Sequence, residues 1–149
     1  MSGRVLELAF DKFIFRFPED LRYSESGVWV RLEGRRARIG LSDFTQQRNG
    51  DVTFVEPKEP GAVVRTGDEI AVVETIKVNV SVPCPVAGKV IEVNGALEES
   101  PEFVNLDPYG KGWMAVIEVE DGGQEYGALM TADAFLGLAR RQAEAEARR

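Results

Sequence analysis

The chain has 149 residues, with 18 Lys and Arg against 25 Asp and Glu, a net charge of −7, one cysteine and no histidine. That length fits a single domain with a proper core, and the acidic balance is wrong for a nucleic-acid partner, whose phosphates need cations. The missing histidine removes the commonest general base and, with only one cysteine present, all but excludes a structural zinc site, so side chains are a poor source of catalytic chemistry here. Residues 1–17 are not read as a signal peptide, because Glu7, Asp11, Lys12 and Arg16 interrupt any apolar run. Leu6, Leu8 and Phe10, then Phe13, Phe15 and Phe17, alternate at the strand period, with a phase slip at Asp11-Lys12 that predicts a turn or bulge. Pro18-Glu19-Asp20 ends the segment.

Residues 28–32 and 37–41 read as strands about a Glu33-Gly34 turn. Ser42-Asp43 predicts the capped start of a short helix, which Asn49-Gly50-Asp51 breaks. Strands are expected over 52–56, 69–74, 78–82 and 90–93. Between them lie a Pro57, Pro60, Gly61 loop and a Gly67-Asp68 turn, and Asn94-Gly95 closes the series with another turn. Ser100-Pro101-Glu102 predicts a helix start with proline at the first helical position. Residues 113–119 read as the final strand. Thr131 reads as the cap of a C-terminal helix with Asp133 in its first turn, and residues 142–149 as its solvated, fraying end. Gly61-Ala62-Val63-Val64 and Gly88-Lys89-Val90-Ile91 each set a glycine before an apolar pair, as two similar halves flanking one hairpin would. The pattern is mainly β with minor α, a sandwich or barrel and not βαβ units.

No run of about 18 apolar residues is present, so no membrane-spanning helix is expected. The lone Cys84 forbids an intrachain disulfide and fits a reducing, cytoplasmic compartment. Lying between prolines in a strand, it reads as an inert core thiol. Trp29, Trp113 and the phenylalanines read as core. Gly110-Lys111-Gly112 lacks the spacing of a phosphate cradle and reads as a turn that packs Tyr109 and Trp113. Lys77 is the residue with chemistry to offer. It sits in Val73-Glu74-Thr75-Ile76-Lys77-Val78 with strand signals on both sides, so Glu74 to Lys77 is expected at a hairpin tip. There it is either a surface lysine that keeps the tip soluble or a single amine presented for covalent modification. Asp43, Glu56, Asp68 and Glu74 read as exposed turn carboxylates, with lining of a groove for an attached group as the other possibility.

The order of these segments resembles the H protein family of the glycine cleavage system. The resemblance is carried by Tyr23-Ser24-Glu25 with Trp29-Val30-Arg31, by Ile39-Gly40-Leu41-Ser42-Asp43-Phe44, and by Val73-Glu74-Thr75-Ile76-Lys77. Pro85-Val86-Ala87-Gly88-Lys89-Val90 and, most specifically, Asn105-Leu106-Asp107-Pro108-Tyr109-Gly110-Lys111-Gly112-Trp113 follow in family order. It covers residues 21–138, which leaves 1–20 as an N-terminal extension and 139–149 as a charged helical tail. The resemblance implies a flattened β-barrel of the lipoyl/biotinyl type (barrel-sandwich hybrid, hammerhead) with short helices and a C-terminal helix. It implies a monomeric carrier, not an enzyme, with lipoate joined to Lys77 and Glu74, Thr75 and Ile76 beside the attachment site.

In that family the arm accepts an aminomethyl group from glycine decarboxylase and delivers it to aminomethyltransferase, and dihydrolipoyl dehydrogenase reoxidises it. A lipoate ligase or lipoyl transferase installs it. A dithiolane ring holds its disulfide away from relaxed geometry, so thiolate-like nucleophiles open it readily. A biotinyl carrier would place Met on both sides of the lysine, where Ile76 and Val78 stand. Gly27-Val28 occupy the places of the family's His-Glu pair, which lies near the bound arm. That departure keeps open an H-like lipoate-binding protein serving a heterodisulfide-reductase-like complex in sulfur oxidation. The alternative of another class is an unmodified scaffold or docking protein. The departure also predicts that restoring His and Glu at 27 and 28 improves aminomethyl loading.

Overall fold

The computed structural model describes residues 3–148. The alternating N-terminal apolar residues form an antiparallel hairpin of β1 (Val5–Phe10) and β2 (Phe13–Pro18), turned at Asp11-Lys12. Asp11 takes a positive φ of 56°, a conformation Asp tolerates better than most residues. Next come β3 (Arg22–Tyr23), β4 (Val28–Glu33), β5 (Arg36–Leu41) and α1 (Asp43–Asn49). The middle of the chain supplies β6 (Val52–Pro57), β7 (Val63–Val64), β8 (Glu69–Thr75), β9 (Asn79–Pro83) and β10 (Gly88–Val93). Two short helices, α2 (Ala96–Glu99) and α3 (Phe103–Leu106), precede β11 (Ala115–Val119), α4 (Gln124–Ala128) and α5 (Ala132–Ala147).

Three sheets result: β1-β2, the six-stranded order β3-β4-β5-β11-β10-β7, and the three-stranded order β6-β8-β9. The expected flattened, mainly β barrel with short helices and a C-terminal helix is the architecture adopted. The two similar glycine-led segments meet in it. β7 pairs antiparallel with β10, Val64 opposite Gly88, and the amides of Gly61 and Val90 donate to Val90 and Ala62 across the seam. The hairpin β8-β9 extends from between them. Gly88 must be a glycine for this closeness, since a Cβ there would lie 2.1 Å from the Glu118 carbonyl oxygen.

The apolar interior divides into two clusters. The larger fills the barrel with β-branched residues such as Val30, Ile39, Ile70, Val73, Val90 and Ile117. The second is aromatic: Phe15, Phe17, Tyr23, Trp29, Phe44 and Phe135 join Leu8, Ala139 and Ala143. In the hairpin, Leu6, Leu8 and Phe10 lie opposite Phe17, Phe15 and Phe13, so strand alternation puts them on one face, and α5 packs against that face. Residues 144–148 are exposed, as expected of a solvated helix end, but that end does not fray. The helix runs unbroken to Ala147, and Ala143 is buried on the same stripe as Phe135 and Ala139. Arg149 lies outside the described residues. Two further expectations shift. Asn94-Gly95 opens α2, with the Asn94 side chain accepting from the Ala96 amide at 3.1 Å, and Ser100 closes α2 instead of capping the next helix. Trp29, Phe15, Phe17, Phe44 and Phe135 are core, whereas Phe13 and Phe54 are exposed.

Candidate functional site

β8 turns into β9 through Ile76-Lys77-Val78, and Thr75 holds the turn. Its amide and its hydroxyl both donate to the Val78 carbonyl, each at 2.8 Å. The hydroxyl oxygen in turn accepts from the amides of Lys77 at 3.2 Å and Val78 at 3.0 Å. One donor and two lone pairs are all a threonine hydroxyl has, and all are used inside this turn. The Ile76 amide donates to the Asp51 carbonyl at 3.2 Å, tying the tip to the start of β6. With its backbone fixed, the tip points its side chains outward: Ile76 is 72% exposed and Lys77 is exposed.

The Lys77 side chain folds back over the end of α1, its ammonium Nζ donating to the Arg48 carbonyl at 3.3 Å. A cation at a helix C-terminus meets the orphan carbonyls and the negative end of the dipole. Gly50 makes the approach possible. It ends α1 at φ 89°, and a Cβ there would lie 2.9 Å from Lys77 Cε. The end of α1 is itself positioned by the 105–113 segment. Asn105 Nδ2 donates to Gln46 Oε1 at 2.9 Å and to the Gly50 carbonyl at 3.0 Å, while its Oδ1 accepts from the Val52 amide at 2.8 Å. Tyr109 hydroxyl donates to the Arg16 carbonyl at 2.6 Å and accepts from the Asp43 amide at 3.0 Å. Burial pushes that phenol well above the usual tyrosine range. Trp29 Nε1 completes the join by donating to the Pro108 carbonyl at 2.9 Å.

Beside Lys77 opens a groove of about 680 Å³. Phe10, Phe13 and Phe15 of the hairpin form one wall, Phe44, Thr45 and Arg48 of α1 the floor, and Ala143 and Glu146 of α5 the far side. Arg48 spans it: its guanidinium lies 5.0 Å over the Phe44 ring, donates to Gln142 Oε1 at 2.9 Å and forms an ion pair with Glu146.

Of the residues expected at the site, Thr75, Ile76 and Lys77 come together at the tip. Glu74 stays in β8, half-buried opposite Asn79, and does not line the groove. Asp43 is no exposed turn carboxylate but is buried, accepting from Gln46 and Gln47 Nε2 and the Arg16 amide at 2.8–3.1 Å. Asp68 closes its own turn by accepting from the Arg65 amide at 2.8 Å, and Glu56 is exposed on β6. Cys84 is buried, donates to the Val86 carbonyl at 3.0 Å, and burial pushes its thiol up to about 11. Among the described residues no group of three His, Cys, Asp or Glu is placed to hold a metal.

The expectation for positions 27 and 28 needs correction. Gly27 adopts φ 85°, and a Cβ there would lie 1.8 Å from Thr45 Oγ1, while Val28 is fully buried. Neither place accepts a histidine or glutamate in this backbone; the Thr45 side chain fills the space instead. Sequence reasoning missed Arg48, Thr45 and Glu146, which no motif marks. The phenylalanine wall was visible as an alternating row, without its relation to Lys77.

A family model described as glycine cleavage H-protein matches residues 21–141. The probable glycine cleavage system H protein of Aeropyrum pernix is 39% identical over 144 residues, spanning 97% of this chain and 100% of that protein. The glycine cleavage system H protein of Brevibacillus brevis is 46% identical over 119 residues, spanning 80% of this chain and 94% of its own. Among solved structures, a glycine cleavage system H protein from Mycobacterium marinum superposes with a TM-score of 0.74 at 28% identity, covering 80% of this chain and 96% of that one.

Proposed function

The chain belongs to the glycine cleavage H-protein family, and we propose that it is a monomeric, cytoplasmic lipoyl carrier modified on Lys77. On this reading it passes an aminomethyl group from glycine decarboxylase to aminomethyltransferase, and dihydrolipoyl dehydrogenase restores it. The single observation that carries the reading is Lys77 itself, exposed at the β8–β9 tip on a backbone that the Thr75 hydroxyl locks. The surroundings fit an amide-linked acyl group. The amine is reachable by a ligase or transferase, and the adjoining groove is lined largely by phenylalanine. When bound, the dithiolane supplies a disulfide that a nucleophile opens, leaving one sulfur as a free thiol.

The chain's own residues do the presenting. Thr75 fixes where the tether begins, and Ile76, exposed beside Lys77, offers the modifying enzyme an apolar contact. A tether on a rigid tip raises the effective concentration of its cargo at each partner's active site. The net charge of −7 steers the carrier toward basic docking faces. No side chain here is asked to act as acid or base, and Cys84, buried and protonated, stays out of the sulfur chemistry.

The test is loading. Oxidised, lipoylated carrier incubated with glycine and glycine decarboxylase should gain the mass of an aminomethyl adduct on the 77-containing peptide and release carbon dioxide. A fully lipoylated carrier that gains nothing contradicts the glycine role.

A further inference from the structure

We propose that Leu106 and Ile76 together form the surface on which the ligase that acylates Lys77 docks, so that a side chain from α3 helps decide which lysine is modified. The inference rests on the carrier reading above and extends the Ile76 contact named there. Among the described residues three large apolar side chains stand out by exposure: Val63 at 72%, Ile76 at 72% and Leu106 at 75%. An apolar residue left singly in water needs no explanation, whereas two brought together from distant segments do.

Ile76 and Leu106 meet at one short stretch of backbone, residues 50–52. The Ile76 amide donates to the Asp51 carbonyl at 3.2 Å. Asn105, the neighbour of Leu106 in α3, bonds both sides of Asp51: its Nδ2 donates to the Gly50 carbonyl at 3.0 Å and its Oδ1 accepts from the Val52 amide at 2.8 Å. These bonds fix the backbone that carries the pair, so a partner meets it already ordered and loses little freedom in binding it. Asp51 is itself exposed. The pair therefore has an acidic neighbour and suits a partner that offers an apolar recess with a basic rim.

The occupant follows from where the chemistry occurs. A ligase brings lipoyl adenylate to Lys77. The nitrogen attacks the acyl carbon, the carbon–nitrogen bond forms, and the bond from that carbon to the phosphate oxygen breaks. AMP leaves, and two protons of the ammonium pass to solvent. Reaction needs the acyl carbon within about 3–3.5 Å of Nζ, so the ligase must cover the ground around the lysine stem. Enzymes that act on the sulfurs meet them at the far end of the arm and need not touch the tip. Contact at Leu106 gives the ligase a mark that no residue adjacent to Lys77 in sequence supplies.

The experiment follows lipoylation of the full chain by lipoate ligase with lipoate and ATP, read by intact mass over time. Leu106→Glu should lower kcat/KM for the carrier about tenfold, mainly through KM, since covering one exposed leucine is worth that order of affinity. Leu106→Ser should lower it by less, and it carries the same test should Leu106→Glu fail to fold. Val63→Glu should change nothing: it is as exposed as Ile76 but lies beside Glu69 at the far end of β8, roughly 20 Å from the tip. Once fully lipoylated by long incubation, the Leu106→Glu chain should take up the aminomethyl group from glycine and its decarboxylase at the wild-type rate. A folded Leu106→Glu chain that is lipoylated as fast as wild type overturns the docking surface and leaves the carrier reading intact. So does an equal loss in lipoylation and in aminomethyl loading, which would give the patch to the decarboxylase. A wild-type chain whose Lys77 stays unmodified overturns both.

Discussion

Thr75 carries the geometry of the attachment tip on one hydroxyl. Thr75→Val keeps the shape but leaves the Lys77 and Val78 amides without their shared acceptor. The loss of all three bonds of that hydroxyl in a part-buried turn should cost about 1–3 kcal/mol, read by urea denaturation. Lipoylation of the variant should slow as well, and an unchanged rate would show that the modifying enzyme does not need the locked tip. Gly27 is the second telling residue. Gly27→His forces a side chain into a positive φ and against Thr45, and should cost about 1–3 kcal/mol from the backbone alone. Adding Thr45→Ala should recover only the part due to the clash; full recovery would mean the backbone is not strained there. Cys84 gives a pH test. Its thiol is raised by burial, so folding favours the protonated form, and its contribution to stability is present below about pH 9 and lost toward pH 11. At pH 8 iodoacetamide should leave it unmodified in the native chain and label it after denaturation, read by intact mass.

At the scale of elements, α1 matters more than its seven residues suggest. Its N-terminus is capped by Ser42, whose Oγ accepts from the Thr45 amide at 3.2 Å, and its C-terminus is the platform on which Lys77 rests. Ser42→Ala should cost about 1 kcal/mol in thermal or urea denaturation. A loss well below that would mean the helix is held by its packing and the Asn105 bonds alone. The cap was legible from Ser42-Asp43, and the strands were legible from alternation, because both signals are local. The paired glycine segments hinted at the β7–β10 seam. α2 and α3 were not legible, since four-residue helices draw their stability from contacts elsewhere in the chain. Ala139 and Ala143 carry the buried stripe of α5, and the residues after Ala143 are exposed, as the run of charges there indicates.

For the whole molecule, the core divides into a barrel of β-branched residues and an aromatic annex, and the hairpin, which precedes the family-matched residues, packs into the annex. The hairpin places three phenylalanines beside Lys77, a juxtaposition that sequence order hid because the two segments lie more than sixty residues apart. The lack of histidine and the single buried thiol fit a protein whose reactive group is attached and not encoded. The most direct measurement of that claim is intact mass and peptide mapping after co-expression with a lipoate ligase. The account predicts one lipoyl increment, confined to the peptide containing Lys77 and absent from Lys77→Arg. A chain that remains unmodified, or that carries the increment on another lysine, would contradict it.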